Sequence, residues 1–162
     1  MNVDKGRLAD RLRTMTVAFA RLGEDFDHRY GLHGFEGAAL LAAVEAHTAG
    51  DPITPGRLGA LLRLPSASVT ALVDRMERDG HLHRVRDDRD RRRVRVVPSA
   101  PALAAWQEYW GGLGDRVLAA LDEFAPGDLA AAERFLTRMT EVAEDFRQGG
   151  ADASPAGDTV GG

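Results

Sequence analysis

The chain contains no cysteine among its 162 residues. That absence excludes a disulfide scaffold, a cysteine-ligated zinc or iron–sulfur site, and a thiol-based redox sensor. The sequence also lacks any apolar run near the roughly 20 residues that span a bilayer. Its first residues lack the basic segment and apolar core of a signal peptide. We therefore expect a soluble, cytoplasmic protein with no membrane partner.

Motifs for catalysis and metal binding are also scarce. The sequence has no cysteine nucleophile, no glycine-rich phosphate loop ahead of a helix and no Gly-x-Ser-x-Gly motif. His81 and His83 lie two residues apart on an extended segment, but two histidines without a carboxylate partner seldom bind a metal. The sequence therefore predicts no enzymatic activity, no cofactor and no metal site.

Positive charge is concentrated in the middle of a chain whose formal net charge is −4. Residues 52–97 carry eleven Arg against six Asp and Glu, which gives +5. Residues 1–51 sum to −2 and residues 98–162 to −7. Because local potential rather than total charge attracts a polyanion, the middle third is the candidate nucleic-acid-binding region.

Apolar spacing predicts long helices at both ends of the chain. The first carries an amphipathic stripe with steps of four and three, which resembles a coiled-coil seam: Leu8, Leu12, Met15, Phe19, Leu22 and Phe26. This seam could cover the helix's own core or contact a partner chain. Near the C-terminus, one helix runs from about Leu103 to Phe124, weakened in its middle by three glycines, and a last helix starts at Pro126. Residues 149–162 are predicted to be a disordered tail.

Three shorter helices and a basic hairpin are predicted between these ends. The helices cover roughly residues 34–48, 54–63 and 66–79, and two extended segments, His81–Arg86 and Arg93–Val97, follow. Two short helices joined by a tight turn and followed by a basic hairpin predict a winged helix-turn-helix. The expected fold class is mainly α (α+β), a winged helix-turn-helix with N- and C-terminal dimerisation helices and a two-stranded wing.

This organisation assigns a role to each part of the chain. Residues 1–33 and 99–148 are expected to form a helical dimerisation region, and residues 34–98 a DNA-binding lobe. The helix over residues 66–79 is the candidate recognition helix, because a helix fits the major groove and presents its N-terminal turn to bases and phosphates. Ser66, Ser68 and Thr70 lie in that turn, although such hydroxyl groups could instead only cap the helix.

Seven arginines and three aspartates are crowded into residues 84–95. A charge run is usually a solvated face, but this crowding of like charges has no evident benefit for folding. An extended arginine at a hairpin tip suits the narrow, electronegative minor groove of A·T-rich DNA, and the aspartates can orient arginines. Double-stranded DNA is therefore the predicted partner. Its predicted contacts are Thr54, Ser66, Ser68, Thr70, Arg75, Arg84, Arg86, Arg89, Asp90, Arg91 and Arg92.

Residues 64–80, followed by the Asp-Asp-Arg-Asp-Arg-Arg run of residues 87–92, resemble the MarR-type transcriptional regulators. The order of helices and hairpin is similar from about residue 8 to residue 147. The resemblance implies a homodimer formed by the outer helices, with Arg92 in the minor groove and Asp90 bracing it. A symmetric dimer requires an inverted-repeat operator, and repression is the expected mode of regulation. The chain departs from the family pattern at Pro65, at Ala67 and Ala71, and at residues 98–102.

The same resemblance implies a small aromatic or anionic effector, bound between the dimer helices and the DNA-binding lobe. Six aromatic residues are candidates for lining that cleft, although such aromatic residues more often belong to an ordinary core: Phe19, Phe26, Tyr30, Trp106, Tyr109 and Trp110. An alternative function is a dimeric winged-helix adaptor that binds proteins and not DNA. Binding through many arginine–phosphate contacts weakens steeply with salt, which separates the two functions.

Overall fold

The computed structural model describes residues 4–87, 90 and 93–149, apart from the side chain of Gln148. Six helices and one two-stranded antiparallel sheet are present in this part of the chain. In chain order they are α1 (Lys5–Tyr30), α2 (Glu36–Thr48), α3 (Pro55–Leu62), α4 (Ser66–Arg78), β1 (Leu82–Arg86), β2 (Val94–Pro98), α5 (Ala100–Leu121) and α6 (Pro126–Gly149). This arrangement confirms the predicted fold class.

The chain divides into two compact units, residues 1–112 and residues 113–162, and the division falls within α5. Helix α6 includes Gly149, which was predicted to belong to the tail; residues 150–162 of that predicted tail lie outside the described residues. None of the helices that the structure describes is both long and apolar enough to cross a lipid bilayer.

Helix α1 is long and mostly exposed. Asp4 caps its N-terminus by accepting a hydrogen bond from the Gly6 N–H at 3.0 Å, and Gly31 ends it in the left-handed conformation with φ of 67°. Phe26 is the only one of its residues that is fully buried. Three large apolar side chains of the predicted seam remain exposed within the first unit: Leu8, Met15 and Phe19.

The lobe from α2 to β2 contains the hydrophobic core. Its most deeply buried side chains come from every element of the lobe: Leu40, Leu58, Val69, Val73, Met76, Leu82 and Val96. Helices α3 and α4 pack closely at Gly59, where an added Cβ would lie 3.0 Å from Val69 Cγ2 and 3.2 Å from the Leu64 carbonyl oxygen. A side chain at position 59 would therefore require Val69 and the Leu64 carbonyl group to move by a few tenths of an ångström.

Two helix starts show how local geometry sets the boundaries. Helix α2 begins at Glu36, two residues after the predicted start, because Gly34 adopts a left-handed conformation with φ of 59°. Helix α4 begins at Ser66, directly after Pro65, and it has no side-chain cap. Ser99 caps α5, because its Oγ accepts a hydrogen bond from the Ala102 N–H at 3.2 Å.

The wing, defined as β1, β2 and the connecting residues 87–93, is attached to the lobe at its base. The strands pair with Arg84 opposite Val96 and Val85 opposite Arg95. The Val96 N–H donates to the Ile53 carbonyl oxygen at 2.7 Å, so the connection between α2 and α3 continues the hydrogen bonding of β2. The base of the wing is thus part of the lobe rather than a separate hairpin.

The second unit consists of the end of α5 and helix α6. Helix α5 continues without interruption through Gly111, Gly112 and Gly114, which were predicted to weaken it. Several large apolar side chains of this unit are exposed, and Phe146 is 82% exposed. The others include Leu118, Leu121, Phe124, Leu136 and Val142.

Candidate nucleic-acid interface

The N-terminal turn of α4 exposes two serine hydroxyl groups. Ser66 and Ser68 lie on the surface, and neither side chain has a hydrogen-bond partner among the described residues. The Thr70 hydroxyl differs, because it donates to the Ser66 carbonyl oxygen at 3.0 Å. Ser66 and Ser68 can therefore donate and accept hydrogen bonds with an external ligand, whereas the Thr70 proton is already used.

Thr54 stabilises the start of α3. Its Oγ1 accepts a hydrogen bond from the Arg57 N–H at 3.2 Å, which caps the helix. Thr54 is partly buried, and a contact with DNA remains a prediction for this residue.

Arg75 is bonded to a buried carboxylate. Its Nε donates to Glu36 Oε1, and the side chains are 49% and 3% exposed, respectively. Burial raises the pKa of Glu36, but hydrogen bonds from Arg75 and the His33 N–H outweigh this effect and hold the pKa below its ordinary value. Arg75 therefore joins α4 to α2, in addition to any contact it makes with DNA.

Glu36 is a site residue that the sequence reasoning missed. It stands at the start of an apolar helix, and it is the only charged side chain among the buried residues of the described part of the chain. A carboxylate adjoining an apolar helix face is the signal that could have identified it, because buried charges require a partner.

Arg84 is bonded to two carboxylates of α4. Its guanidinium donates to Asp74 Oδ1 at 2.6 Å and to Glu77 Oε2 at 2.5 Å, and its main-chain N–H donates to Glu77 Oε1 at 3.1 Å. The main-chain bond from Arg84 lowers the pKa of Glu77. Burial lowers the pKa of Arg84, but the bonds to Asp74 and Glu77 outweigh it and raise that pKa.

Arg95 occupies the opposite face of the wing and is also bonded. Its Nε donates to Asp87 Oδ2 at 2.7 Å, and its Nη1 donates to Asp51 Oδ1 at 2.9 Å and to the Pro52 carbonyl oxygen at 2.6 Å. Asp51 also accepts a bond from Arg57 at 2.8 Å. These contacts fix the wing to the connection between α2 and α3.

The arginines nearer the wing tip differ in their contacts. Arg86 and Arg93 are exposed, and neither side chain has a hydrogen bond or ion pair within the part of the chain that the structure describes. Asp90 is exposed, and its N–H donates to Asp87 Oδ1 at 3.3 Å. Three predicted DNA contacts lie outside the described residues: Arg89, Arg91 and Arg92.

Five of the six predicted pocket residues form one aromatic cluster around Phe26, which is 1% exposed. The ring centroids of Tyr30, Trp106, Tyr109 and Trp110 lie 4.6–6.1 Å from that of Phe26. The Tyr109 hydroxyl donates to the Leu22 carbonyl oxygen at 3.1 Å, whereas the buried Trp110 Nε1 has no partner among the described residues. Phe19 is 47% exposed and makes none of these ring contacts.

The described residues contain no group of three or more His, Asp or Glu side chains placed to hold a metal ion.

Residues 34–93 match the family model described as the MarR family. The chain is 32% identical over 94 residues to an uncharacterised HTH-type transcriptional regulator, YcgE of Bacillus subtilis; the match covers 58% of this chain and 61% of YcgE. It is 27% identical over 128 residues to the transcriptional activatory protein BadR of Rhodopseudomonas palustris, covering 74% of this chain and 69% of BadR.

Solved structures of MepR from S. aureus have a similar fold. A MepR variant from a multidrug resistant clinical isolate is 14% identical with a TM-score of 0.63, and 88% of this chain and 99% of that chain align. MepR bound to ethidium bromide is 13% identical with a TM-score of 0.61, covering 87% and 97% of the two chains. A MepR–DNA complex is 13% identical with a TM-score of 0.56, covering 81% and 96%.

Proposed function

We propose that the chain is a member of the MarR family of winged helix-turn-helix proteins, whose family model matches residues 34–93, and that it is a homodimeric transcriptional regulator in the cytoplasm. The dimer binds a palindromic operator in double-stranded DNA, with α4 in the major groove and the arginine-rich wing in the minor groove. It acts as a repressor, and a small aromatic or anionic effector releases it from DNA.

One observation carries this proposal: an uncapped helix with two unbonded serine hydroxyls lies next to a hairpin with exposed arginines. Ser66 and Ser68 offer hydrogen bonds to base edges or phosphates. Arg86 and Arg93 offer cations to phosphates, since the protein itself does not neutralise them among the described residues. MepR, whose fold is similar to that of this chain, has been solved in a complex with DNA. This similarity supports DNA as the partner of this chain.

The exposed apolar side chains support a dimer. Each of the two units leaves large apolar side chains in solvent, including Met15 and Phe19 in one and Leu118 and Phe146 in the other. Large exposed apolar patches mark interaction surfaces, and contact with a second copy of this chain would cover these side chains. We assign the dimer contacts to residues 1–33 and 99–148. Two-fold symmetry then requires an inverted repeat whose half-sites lie about one helical turn, roughly 10 base pairs, apart.

The aromatic cluster supports an effector role. Phe26 packs against four aromatic side chains, and the buried Trp110 Nε1 is a donor without a partner in the described part of the chain. Buried tryptophan N–H groups usually have an acceptor, which an effector would provide. The similar MepR fold occurs with ethidium, an aromatic cation, so the cluster suits an aromatic compound.

Selection of bound fragments from random DNA with the purified protein tests this function. We expect an enriched inverted repeat, with binding that weakens steeply as salt increases because arginine–phosphate contacts release counterions. Absence of enrichment at low salt would contradict DNA binding and favour the adaptor function. An asymmetric motif occupied by one subunit would contradict the dimer–operator arrangement.

A further inference from the structure

Arg84 and Arg86 project from the same face of β1, because alternate residues of a strand point to the same side. Their surroundings nevertheless differ. Arg84 is 29% exposed and donates three hydrogen bonds to carboxylates of α4. Arg86, two residue pairs nearer the wing tip, is exposed, and its side chain has no hydrogen bond or ion pair with any described residue. The two arginines therefore have different roles in the wing.

The contact of Arg84 joins the wing to α4 by charge-assisted hydrogen bonds. Asp74 and Glu77 lie three residues apart on α4 and are neighbours on its surface. Each carboxylate accepts a hydrogen bond from one terminal nitrogen of the guanidinium, and Glu77 also accepts one from the Arg84 main-chain N–H at 3.1 Å. Bonds between ionised groups are roughly twice as strong as neutral ones. Because one bond involves the backbone, the contact positions β1 itself and not only a side chain.

The charge of Arg84 is offset within the protein. Two carboxylates lie within 2.6 Å of its guanidinium, so Arg84 does not present an unpaired cation to a phosphate. Arg95 braces the other face of the wing, but its partners lie on the connection between α2 and α3 and at Asp87. Among the residues that the structure describes, Arg84 is therefore the charged contact that joins the wing to α4.

We infer that Arg84 is a positioning residue that sets the distance between the base pairs contacted by α4 and the DNA position contacted by the wing. This inference rests on the proposed DNA-binding function. A wing fixed to α4 makes the protein sensitive to the spacing between these two parts of each half-site. A wing released from α4 tolerates a change in that spacing. If Arg84 instead contacted a phosphate, its replacement would weaken binding equally to DNA sites with either spacing.

The test compares two DNA duplexes. One carries the selected operator, and the other carries one additional base pair in each half-site, between the segment protected by α4 and the flanking segment protected by the wing. The Kd for each duplex is measured by fluorescence anisotropy at several salt concentrations. The variants are Arg84→Ala and the double variant Asp74→Asn/Glu77→Gln. Arg86→Ala is the matched control on the same strand face.

For the wild-type protein we expect the insertion to weaken binding about tenfold or more, as a mismatched position does. The quantity to compare is the ratio of the Kd for the duplex with the insertion to the Kd for the selected operator. Arg84→Ala and Asp74→Asn/Glu77→Gln should each reduce this ratio several-fold. The ratio is the decisive quantity, because a uniform change in charge or in the folded fraction cancels from it. Arg86→Ala should keep the wild-type ratio, weaken binding to both duplexes and lower the salt slope by about one.

A wild-type ratio retained in both Arg84→Ala and the double variant would overturn the inference, and so would a wild-type ratio near one. Tighter binding of the double variant with an unchanged ratio would assign Arg84 to a phosphate instead. These results leave the proposed function intact, because the wild-type protein still binds its operator. Failure of the wild-type protein to bind any DNA would contradict the proposed function itself.

Discussion

Glu36 and Arg75 form an ion pair that is buried at its acidic end and half exposed at its basic end. The pair joins the first turn of α2 to the last turn of α4. A buried carboxylate is stable only with a partner, so Arg75 has a structural role besides any role in binding. Asp27 lies next to this pair: a Cβ added to Gly37 would lie 2.2 Å from Asp27 Oδ1.

Replacing Arg75 with alanine should destabilise the protein by about 1–3 kcal/mol at pH 7, because Glu36 then remains buried without its cation. The low pKa of Glu36 means that its stabilising effect is present above its unfolded pKa of 4.5 and is lost as the pH falls through the lower folded value. The cost of Arg75→Ala should therefore shrink at acidic pH. Urea unfolding at pH 7 and pH 3.5 measures both quantities.

The control for that prediction is Arg57→Ala, which removes an exposed ion pair with Asp51. Such pairs contribute little, so this variant should unfold at nearly the wild-type urea concentration. An equal loss of stability in both variants would contradict the importance of Glu36 burial.

Replacing Asp27 with asparagine should stabilise the protein at neutral pH. Burial and the charge of Glu36 raise the pKa of Asp27 above its ordinary value of 3.8, so ionising this carboxylate costs more in the folded state than in the unfolded state. The advantage of Asp27→Asn should be absent below pH 3.8, grow as the pH rises through the folded pKa and then stay constant. Thermal unfolding midpoints of the wild-type protein and of Asp27→Asn from pH 3 to pH 8 check this dependence, and a difference that does not change with pH would contradict it.

The Arg63→Gly variant should have a free energy of unfolding about 1 kcal/mol higher than the Arg63→Ala variant. Arg63 ends α3 in the left-handed conformation with φ of 54°, whereas every other positive φ among the described residues is at a glycine. Arg63→Ala removes the side chain but keeps the strained backbone, so its comparison with Arg63→Gly isolates the conformational effect. Urea unfolding of the two variants measures the difference, and a more stable alanine variant would contradict the prediction.

Removing the Ser68 hydroxyl should affect DNA recognition more than removing that of Thr70. Ser68→Ala should weaken operator binding by about 1–3 kcal/mol and relax the preference at one base pair if the hydroxyl contacts a base edge. Thr70→Val should have a smaller effect, because the Thr70 proton is donated to Ser66. Repeating the selection from random DNA with each variant shows which preference changes; a greater loss for Thr70→Val would reverse the assignment.

Introducing a charge on the exposed apolar surface of α5 should weaken the proposed dimer. Leu118 is 65% exposed in the isolated chain and is assigned to the dimer interface. Leu118→Glu should therefore raise the dimer Kd tenfold or more, which corresponds to a loss of about 1.4 kcal/mol or more in the free energy of association. Leu61→Glu is the matched control, because Leu61 is 50% exposed but lies on α3, outside the dimerisation region. Sedimentation equilibrium distinguishes the two, and a dimer unaffected by Leu118→Glu would contradict this assignment.

Local patterns were sufficient to predict the elements of this fold. Apolar steps of three and four residues predicted all six helices, and the alternation from Arg93 to Val96 predicted the second wing strand. The boundaries of α2, α3, α4 and the two strands were accurate to one or two residues, since Pro65 and Gly80 stop helices through their own backbone preferences. Helix α5 was predicted less accurately, because it begins and ends three residues before the predicted bounds of Leu103 and Phe124. The concentration of arginine in residues 84–95 was also visible without any coordinates.

The roles of individual arginines depended on tertiary structure. Arg75 meets a carboxylate 39 residues earlier in the chain, and Arg95 meets one 44 residues earlier. The charge pattern does not show which arginines are bonded, because that depends on how α2, α4 and the wing pack together. Phe19 and Phe26 likewise occupy the same stripe of α1, yet the structure buries only Phe26. The sequence alone determined which elements form, because helix and strand periods are local; burial and pairing required the assembled core, because they join residues far apart in the chain.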